Sequence, residues 1–286
     1  MTQATVCILN PGEMGAAVGR VLRDAGARVL WSSAGRSDAT RKRAAEAGLE
    51  DARTLEAALG AAEVVLSVAP PHAALEVARS VAANRFGGAF VDCNAVSPDT
   101  TRRIGEVVAA AGARFVDGGI VGPPPGAGGS TRLYLSGPGA GRVSELFAGT
   151  ALTAVALAGP VGAASAVKAC YAAWTKGTAT LLLAVRALAE HEGVAAALVE
   201  EWTVSQPDLF RQLDRAVGNS RKAWRWIAEM EEIAATFAGA GLPEGFHLAA
   251  AEVCRRLEPF KDARAAKIED LVNALQAARV SKKAAA

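Results

Sequence analysis

The 286-residue chain lacks any large excess of one charge: 31 Lys and Arg stand against 29 Asp and Glu, a formal net of +2. Its basic residues are scattered among acidic ones, which removes the clustered positive footprint that a nucleic-acid binder needs. Cysteine is sparse. Cys7, Cys93, Cys170 and Cys254 lie far apart with no CxxC pair, so neither a zinc site nor a redox dithiol is expected. The three histidines, His72, His191 and His247, are equally dispersed, and no metal centre is expected. Long apolar runs are missing as well. The longest stretches are cut by Lys168, Lys176 and Arg186, short of the roughly 20 apolar residues of a membrane helix. No basic segment or cleavage site precedes the first apolar run, so no secretion signal is expected. These absences point to a reduced, soluble, cytoplasmic protein.

Apolar residues are plentiful, at 51% of the chain, and the length suits about two domains. Up to residue 160 short β-rich runs alternate with helical patterns. Strands are predicted over 5–9, 28–32, 63–68, 89–93, 114–117, 131–136 and 152–157. Helices are predicted over 14–25 and 37–47, after Pro70-Pro71, and from Ser97-Pro98, where Pro suits the first helical position. A loop rich in Gly and Pro is expected from Gly118 to Ser130. Strands alternating with helices imply parallel pairing and a doubly wound α/β Rossmann sheet.

Beyond residue 160 the strand pattern stops. From Val161 to about His191 only Ala, Leu and Val recur at helical spacing, a helix about 45 Å long at 1.5 Å per residue. Helices continue to about Ala278, with Ser205 expected as an N-cap and Pro207 in the following first turn. The expected organisation is a Rossmann domain over residues 1–160 and an all-α substrate and dimerisation domain over 161–286, joined by the long helix.

The first predicted strand runs into Asn10-Pro11-Gly12-Glu13-Met14-Gly15, where a dinucleotide fingerprint has Gly-x-Gly-x-x-Gly. Gly12 lets a pyrophosphate approach the backbone, Gly15 permits close helix–sheet packing, and the helix N-terminus supplies N–H groups. Gly12, Glu13, Met14 and Gly15 are therefore candidate cofactor contacts; the plainer alternative is an ordinary glycine turn. Asn10 precedes proline and is expected to be extended. Pro11-Gly12 then suits a type II turn, with the positive φ on Gly12.

The second predicted strand lacks the terminal Asp or Glu that holds an NAD ribose. It offers Ser33, Arg36 and Ser37 instead, and a guanidinium with hydroxyls suits a 2′-phosphate. NADP (NADPH) is thus expected over NAD. The alternative is a solvated helix start, since Arg41, Lys42 and Arg43 follow. The next strand end, Val68, Ala69 and Pro70, joins the cofactor candidates.

Four stretches, in order, carry a family likeness: "NPGEMG", "VDCNAVSPDT" from Val91, "FVDGGIVGPPP" from Phe115 and "GPVGAASAVKACYAAWTKG" from Gly159. Together they resemble the β-hydroxyacid dehydrogenase superfamily, which includes 6-phosphogluconate dehydrogenase and the imine reductases. The closest look is to its phosphogluconate-dehydrogenase-like NAD(P)-binding branch with a divergent C-terminal domain. The resemblance implies a catalytic Lys168, although the family's Asn four residues later is Ala172 here. It also implies that Asn94 lies near the nicotinamide carboxamide, where the family has Asp-x-Ser-Thr. In the substrate loop Val121 replaces the family's Ser, next to Gly122.

With Val121 and Ala172 in place of polar groups, a small hydroxy acid is less expected, because burying its carboxylate there is costly. Val121, Gly122, Tyr171, Ala172 and Trp174 are the candidate substrate contacts, for a carbonyl, alcohol or imine. Simpler readings stand beside these. Lys168 can snorkel, Lys176 competes with it, Tyr171 and Trp174 can be core residues, and Asp117 can cap backbone amides. The implied activity is NADPH-dependent hydride transfer with Lys168 as general acid and base, in a homodimer formed through the helical domain. The alternatives are imine reduction and a non-catalytic NADP-binding sensor.

Overall fold

The apolar runs of the first half pair edge to edge because each is rich in β-branched, aromatic or other apolar residues and is bounded by turn residues. The strands are β1 (Thr5–Leu9), β2 (Arg28–Trp31), β3 (Glu50–Asp51), β4 (Val64–Ser67), β5 (Ala89–Asp92), β6 (Arg114–Val121), β7 (Arg132–Ser136) and β8 (Thr153–Ala156). They form one eight-stranded sheet in the order β3-β2-β1-β4-β5-β6-β7-β8. β1 to β6 are parallel, β7 is antiparallel to β6, and β8 is parallel to β7.

Between the strands run α1 (Glu13–Asp24), α2 (Asp38–Glu46), α3 (Leu55–Ala61), α4 (Ala74–Ala83), α5 (Pro98–Ala110) and α6 (Ala140–Glu145). Side-chain alternation splits β1 between two cores. Val6 and Ile8 pack on one face with Val18, Leu22 and Leu66, while Cys7 and Leu9 pack on the other with Val65, Phe90 and Ile104. Covered on both faces, the central strands carry unbroken apolar runs.

This computed structural model describes residues 4–126, 128–261, 263 and 266–283. The chain divides into the units Met1–Ala169 and Cys170–Ala286, with the division falling inside α7 (Ala163–His191). The second unit continues through α8 (Ala195–Ser205), α9 (Leu209–Asn219), α10 (Ile227–Gly239), α11 (Gly245–Arg256) and α12 (Ile268–Lys283). Its core joins Leu183 and Ala187 to Ala216, Cys254, Leu257, Leu271 and Leu275.

Three expectations need correction. β6 does not stop at Asp117 but continues through Gly118 and Gly119 to Val121, so the glycine-rich loop begins later; its residue 127 lies outside the described residues. Ser205 is the last residue of α8, its hydroxyl donating to the Glu201 carbonyl at 2.9 Å. α9 instead starts after Asp208, leaving Pro207 outside the helix. β3, α3 and α6 had no counterpart among the predicted elements.

Candidate cofactor and reaction site

β1 lies between β2 and β4, the point at which strand order reverses and where open α/β sheets bind ligands at their carboxyl ends. The chain leaves β1 through a turn unlike the one expected. Asn10 has φ 61, whereas Gly12 has φ −70 and ψ −165. The positive φ therefore belongs to Asn10, the residue in the fingerprint's first glycine position, and the type II turn on Pro11-Gly12 does not form. Asn is among the few non-glycine residues that tolerate the left-handed region. The Gly12 amide donates to the Asn10 carbonyl at 2.7 Å, closing a three-residue turn around Pro11, whose fixed φ suits its centre.

The two following glycines differ in kind. A Cβ on Gly15 would stand 2.8 Å from the Asn10 carbonyl and 3.4 Å from Ile8, so α1 packs too closely for any side chain there. A Cβ on Gly12 would meet only the Asn10 carbonyl, at 3.9 Å. Protein packing does not require Gly12, and its bare side leaves the approach to the helix N-terminus open. The N-cap residue of α1 is Gly12 itself, which has no side chain to cap the helix, so the amino end of α1 is built from backbone N–H groups rather than a side-chain cap. That arrangement fits a pyrophosphate.

After β2 the segment with Ser33, Arg36 and Ser37 is braced by the end of β3. The Ser33 amide donates to Asp51 Oδ1 at 3.1 Å, and the Arg53 amide to the same oxygen at 2.8 Å. The Arg53 carbonyl accepts the Ala34 amide at 3.0 Å and the Ser32 hydroxyl at 3.1 Å. Burial alone would raise the Asp51 carboxyl, but hydrogen bonds from Ser33 and Arg53 and the nearby Arg41 charge hold it below the usual range.

Ser37 caps α2 by accepting the Thr40 amide at 3.3 Å. Arg36 Nη2 donates to Asn10 Oδ1 at 3.3 Å. Its Nε is buried and, among the described residues, has no hydrogen-bond partner. A guanidinium held in place by Asn10, with Ser33 and Ser37 close by in sequence, is the type of group that takes a phosphate.

At the ends of β4 and β5, Asn94 ties the two strands together. Its Oδ1 accepts the Ala69 amide at 2.5 Å, and its Nδ2 donates to Ser67 Oγ at 3.0 Å and to the Asp92 carboxyl. Those protein partners take both Nδ2 hydrogens, so a carboxamide would meet only the remaining lone pair of Oδ1 or the backbone. Val68 and Ala69 are half-buried and Pro70 is exposed. Asp92 is fully buried beside Asp117 in the β5–β6 register. Burial, and then the Asp117 charge, push its carboxyl well above the ordinary range.

Asp117 has a structural task. Its Oδ2 accepts the amides of Gly162 at 2.9 Å, Ala164 at 3.0 Å and Ser165 at 3.2 Å, together with the Ser136 hydroxyl at 2.8 Å. Its Oδ1 accepts the Ser165 hydroxyl at 2.6 Å. A carboxylate on β6 thus caps the N-terminus of α7.

α7 then lies directly against β6. A Cβ on Gly119 would fall 2.6 Å from the Ala164 carbonyl and 3.1 Å from Lys168 Cβ. Lys168 is half-buried, one turn beyond Ala164. Val121 is buried at the end of β6, paired with Arg132, and Gly122 has φ 122 with Thr131 against it.

Farther along α7, Ala172 is buried, whereas Tyr171 is 49% and Trp174 74% exposed, which does not match the core alternative for these aromatics. Lys176 pairs with Glu229 and lies 5.2 Å from the Trp226 ring. A cleft of about 1040 Å³, lined by residues including Glu63, Gly88, Arg114 and Phe115, lies at the amino ends of β4 to β6, the opposite end of the sheet from the cofactor loops.

Residues 5–152 match the family model for the NAD binding domain of 6-phosphogluconate dehydrogenase, and residues 189–257 match a domain of unknown function, DUF1932. An uncharacterised 28.5 kDa protein in the 7S RNA 5′ region of Methanothermus fervidus is 28% identical over 203 residues, 69% of this chain and 78% of that one. A conserved hypothetical protein from Sinorhizobium meliloti 1021 superposes with TM-score 0.70 at 25% identity, covering 96% of each chain.

Two more distant structures share the fold. 3-Hydroxyisobutyrate dehydrogenase from Mycobacterium tuberculosis has TM-score 0.71 at 20% identity, over 96% and 100% of the chains. An imine reductase from Streptomyces aurantiacus has TM-score 0.53 at 20% identity, over 95% and 99%.

Proposed function

This chain belongs to the family of the NAD binding domain of 6-phosphogluconate dehydrogenase, and from that membership we propose an NADPH-dependent oxidoreductase that moves hydride between nicotinamide and a carbonyl or alcohol substrate. It is an enzyme of the β-hydroxyacid dehydrogenase type with a nicotinamide cofactor. When bound, the nicotinamide supplies or accepts the hydride.

The chain's own contribution is the proton. The observation that carries this reading is the fastening of α7 to β6, with Asp117 capping the helix and Gly119 admitting it. That fastening sets Lys168, half-buried, beside Gly119, two residues before the end of β6. The Lys168 amine, in its charged form, donates to the substrate oxygen as hydride reaches the carbon, and takes the proton back in the reverse direction. Gly12 and the α1 amides bind pyrophosphate, and Arg36 with Ser33 and Ser37 receives the 2′-phosphate. By the family likeness, Val121 and Gly122 are the proposed substrate contacts of the first unit, and Tyr171, Ala172 and Trp174 those of the second. Val121 and Ala172 favour a substrate less polar than a small hydroxy acid.

The test is NADPH and NADH oxidation across a panel of ketones and aldehydes, each with and without an added amine. Turnover with ketone alone supports carbonyl reduction, and turnover only with amine moves the assignment to imine reduction. Val121 and Ala172, which remove polar partners from the substrate side, also motivate a sensor reading. Tight NADPH binding without turnover on any substrate, in either direction, supports it.

The same proposal includes a homodimer. Along α7, Tyr171, Trp174, Leu181 and Leu188 are 49, 74, 62 and 60% exposed. Their spacing of three and then seven residues forms one apolar seam, the pattern with which two helices pair. Among the described residues no helix is long and apolar enough to cross a membrane, and a cytoplasmic location belongs to the proposal.

A further inference from the structure

Asn10 occupies the position where a glycine would satisfy the turn without strain. A non-glycine residue at φ 61 is disfavoured by its Cβ, so the turn alone does not explain the side chain. That side chain does one thing a glycine cannot: its Oδ1 accepts Arg36 Nη2 at 3.3 Å. The backbone around Arg36 is already fixed. Asp51 and Arg53 hold residues 32–34, and Ser37 caps α2. What remains free to move is the long Arg36 side chain, whose Nε is buried without a hydrogen-bond partner among the described residues.

We propose that Asn10 is a specificity-determining residue, positioning the Arg36 guanidinium to receive the 2′-phosphate of the cofactor. The inference rests on the NADPH reading above and adds to it the part that sets the preference. The pyrophosphate turn and the 2′-phosphate reader, 26 residues apart in the chain, become one device. Without the anchor, Arg36 samples other rotamers, and ordering it on binding offsets part of the affinity. A cofactor lacking the 2′-phosphate makes no use of Arg36 and is indifferent to the anchor.

Two small probes isolate the effect, because 2′,5′-ADP and 5′-AMP differ only by the 2′-phosphate. Their dissociation constants are measured by isothermal titration calorimetry on the full chain and on Asn10→Gly, Arg36→Ala and the double variant. Asn10→Gly retains the positive φ, and a thermal melt confirms that it folds. The wild type is expected to prefer 2′,5′-ADP. Asn10→Gly is expected to reduce that preference about three- to tenfold, the range of one hydrogen bond, with 5′-AMP affinity held within about twofold. In the Arg36→Ala background, Asn10→Gly is expected to change nothing further.

The inference is overturned if Asn10→Gly weakens both probes by the same factor, or lowers the preference equally when Arg36 is absent. A wild type that binds the two probes equally overturns the NADPH reading itself, and the inference with it.

Discussion

Ser165 grips Asp117 twice, its hydroxyl donating to Oδ1 at 2.6 Å and its amide to Oδ2 at 3.2 Å. The amide cap that a helix usually takes from its own N-cap residue is here supplied by a strand, so the first turn of α7 is fixed to β6. Asp117→Ala removes the shared acceptor of the Gly162, Ala164 and Ser165 amides and of two hydroxyls, and is expected to destabilise the amino-terminal unit by about 2–4 kcal/mol. Ser165→Ala removes a hydroxyl that bonds both Asp117 Oδ1 and Thr101 Oγ1, leaves the amides capped, and is expected to cost about 1–2 kcal/mol. Urea unfolding of both variants checks the ranking; equal losses would contradict it.

Asp92 makes stability depend on pH. Its folded carboxyl is raised, by burial and then by the Asp117 charge, so the folded state binds a proton more tightly than the unfolded chain. The stabilisation is fully present below the unfolded value of about 4 and is lost as pH rises through the folded value. Asp92→Asn stays neutral and can still accept from Asn94. Its stability relative to wild type is therefore expected to increase steadily as pH is raised from about 4. Urea midpoints taken from pH 4 to 8 test this, and a pH-independent difference would rule it out.

Gly12 and Gly15 are expected to fail differently. Gly15→Ala places a Cβ 2.8 Å from a backbone carbonyl and is expected to destabilise by about 1–3 kcal/mol. Gly12→Ala, at φ −70 in open space, is expected to leave stability within about 0.5 kcal/mol while weakening cofactor binding at least tenfold. Thermal melts beside calorimetric titration separate the two.

The apolar seam of α7 predicts an association that one charge can break. Leu181, 62% exposed, is expected as Asp to shift the protein from dimer to monomer in light scattering, with little change in helix content. A wild-type monomer at the same concentration would remove the seam from the interface.

Much of this was legible in the chain. The parallel strands announced themselves because burial on both faces demands unbroken apolar runs, and Ser37 and Ser97 marked helix starts through their own caps. What stayed hidden depended on distant partners. β3 is two exposed acidic residues with no apolar signal. Gly118 and Gly119 carry the local signature of a loop, yet they sit in a strand, since Gly119 must admit α7 from more than forty residues away.

Asn10 obeyed tertiary context over the local rule for residues before proline. α1 presses on its carbonyl through Gly15, and Arg36 engages its side chain. Asp51, which braces Ser33, belongs to that unmarked β3, and only the absence of an acid at the end of β2 hinted that something else held the loop. The resemblance supplied Lys168 and Asn94. The geometry adds that Asn94 is largely occupied by protein partners and that Asp117 is a cap.

The most direct test is Lys168→Ala, assayed with NADPH and the best substrate of the carbonyl panel. Proton transfer by Lys168 predicts that the calorimetric dissociation constant of NADPH stays within about twofold while single-turnover hydride transfer falls roughly 100- to 10,000-fold. A single-turnover rate equal to wild type would contradict a catalytic Lys168.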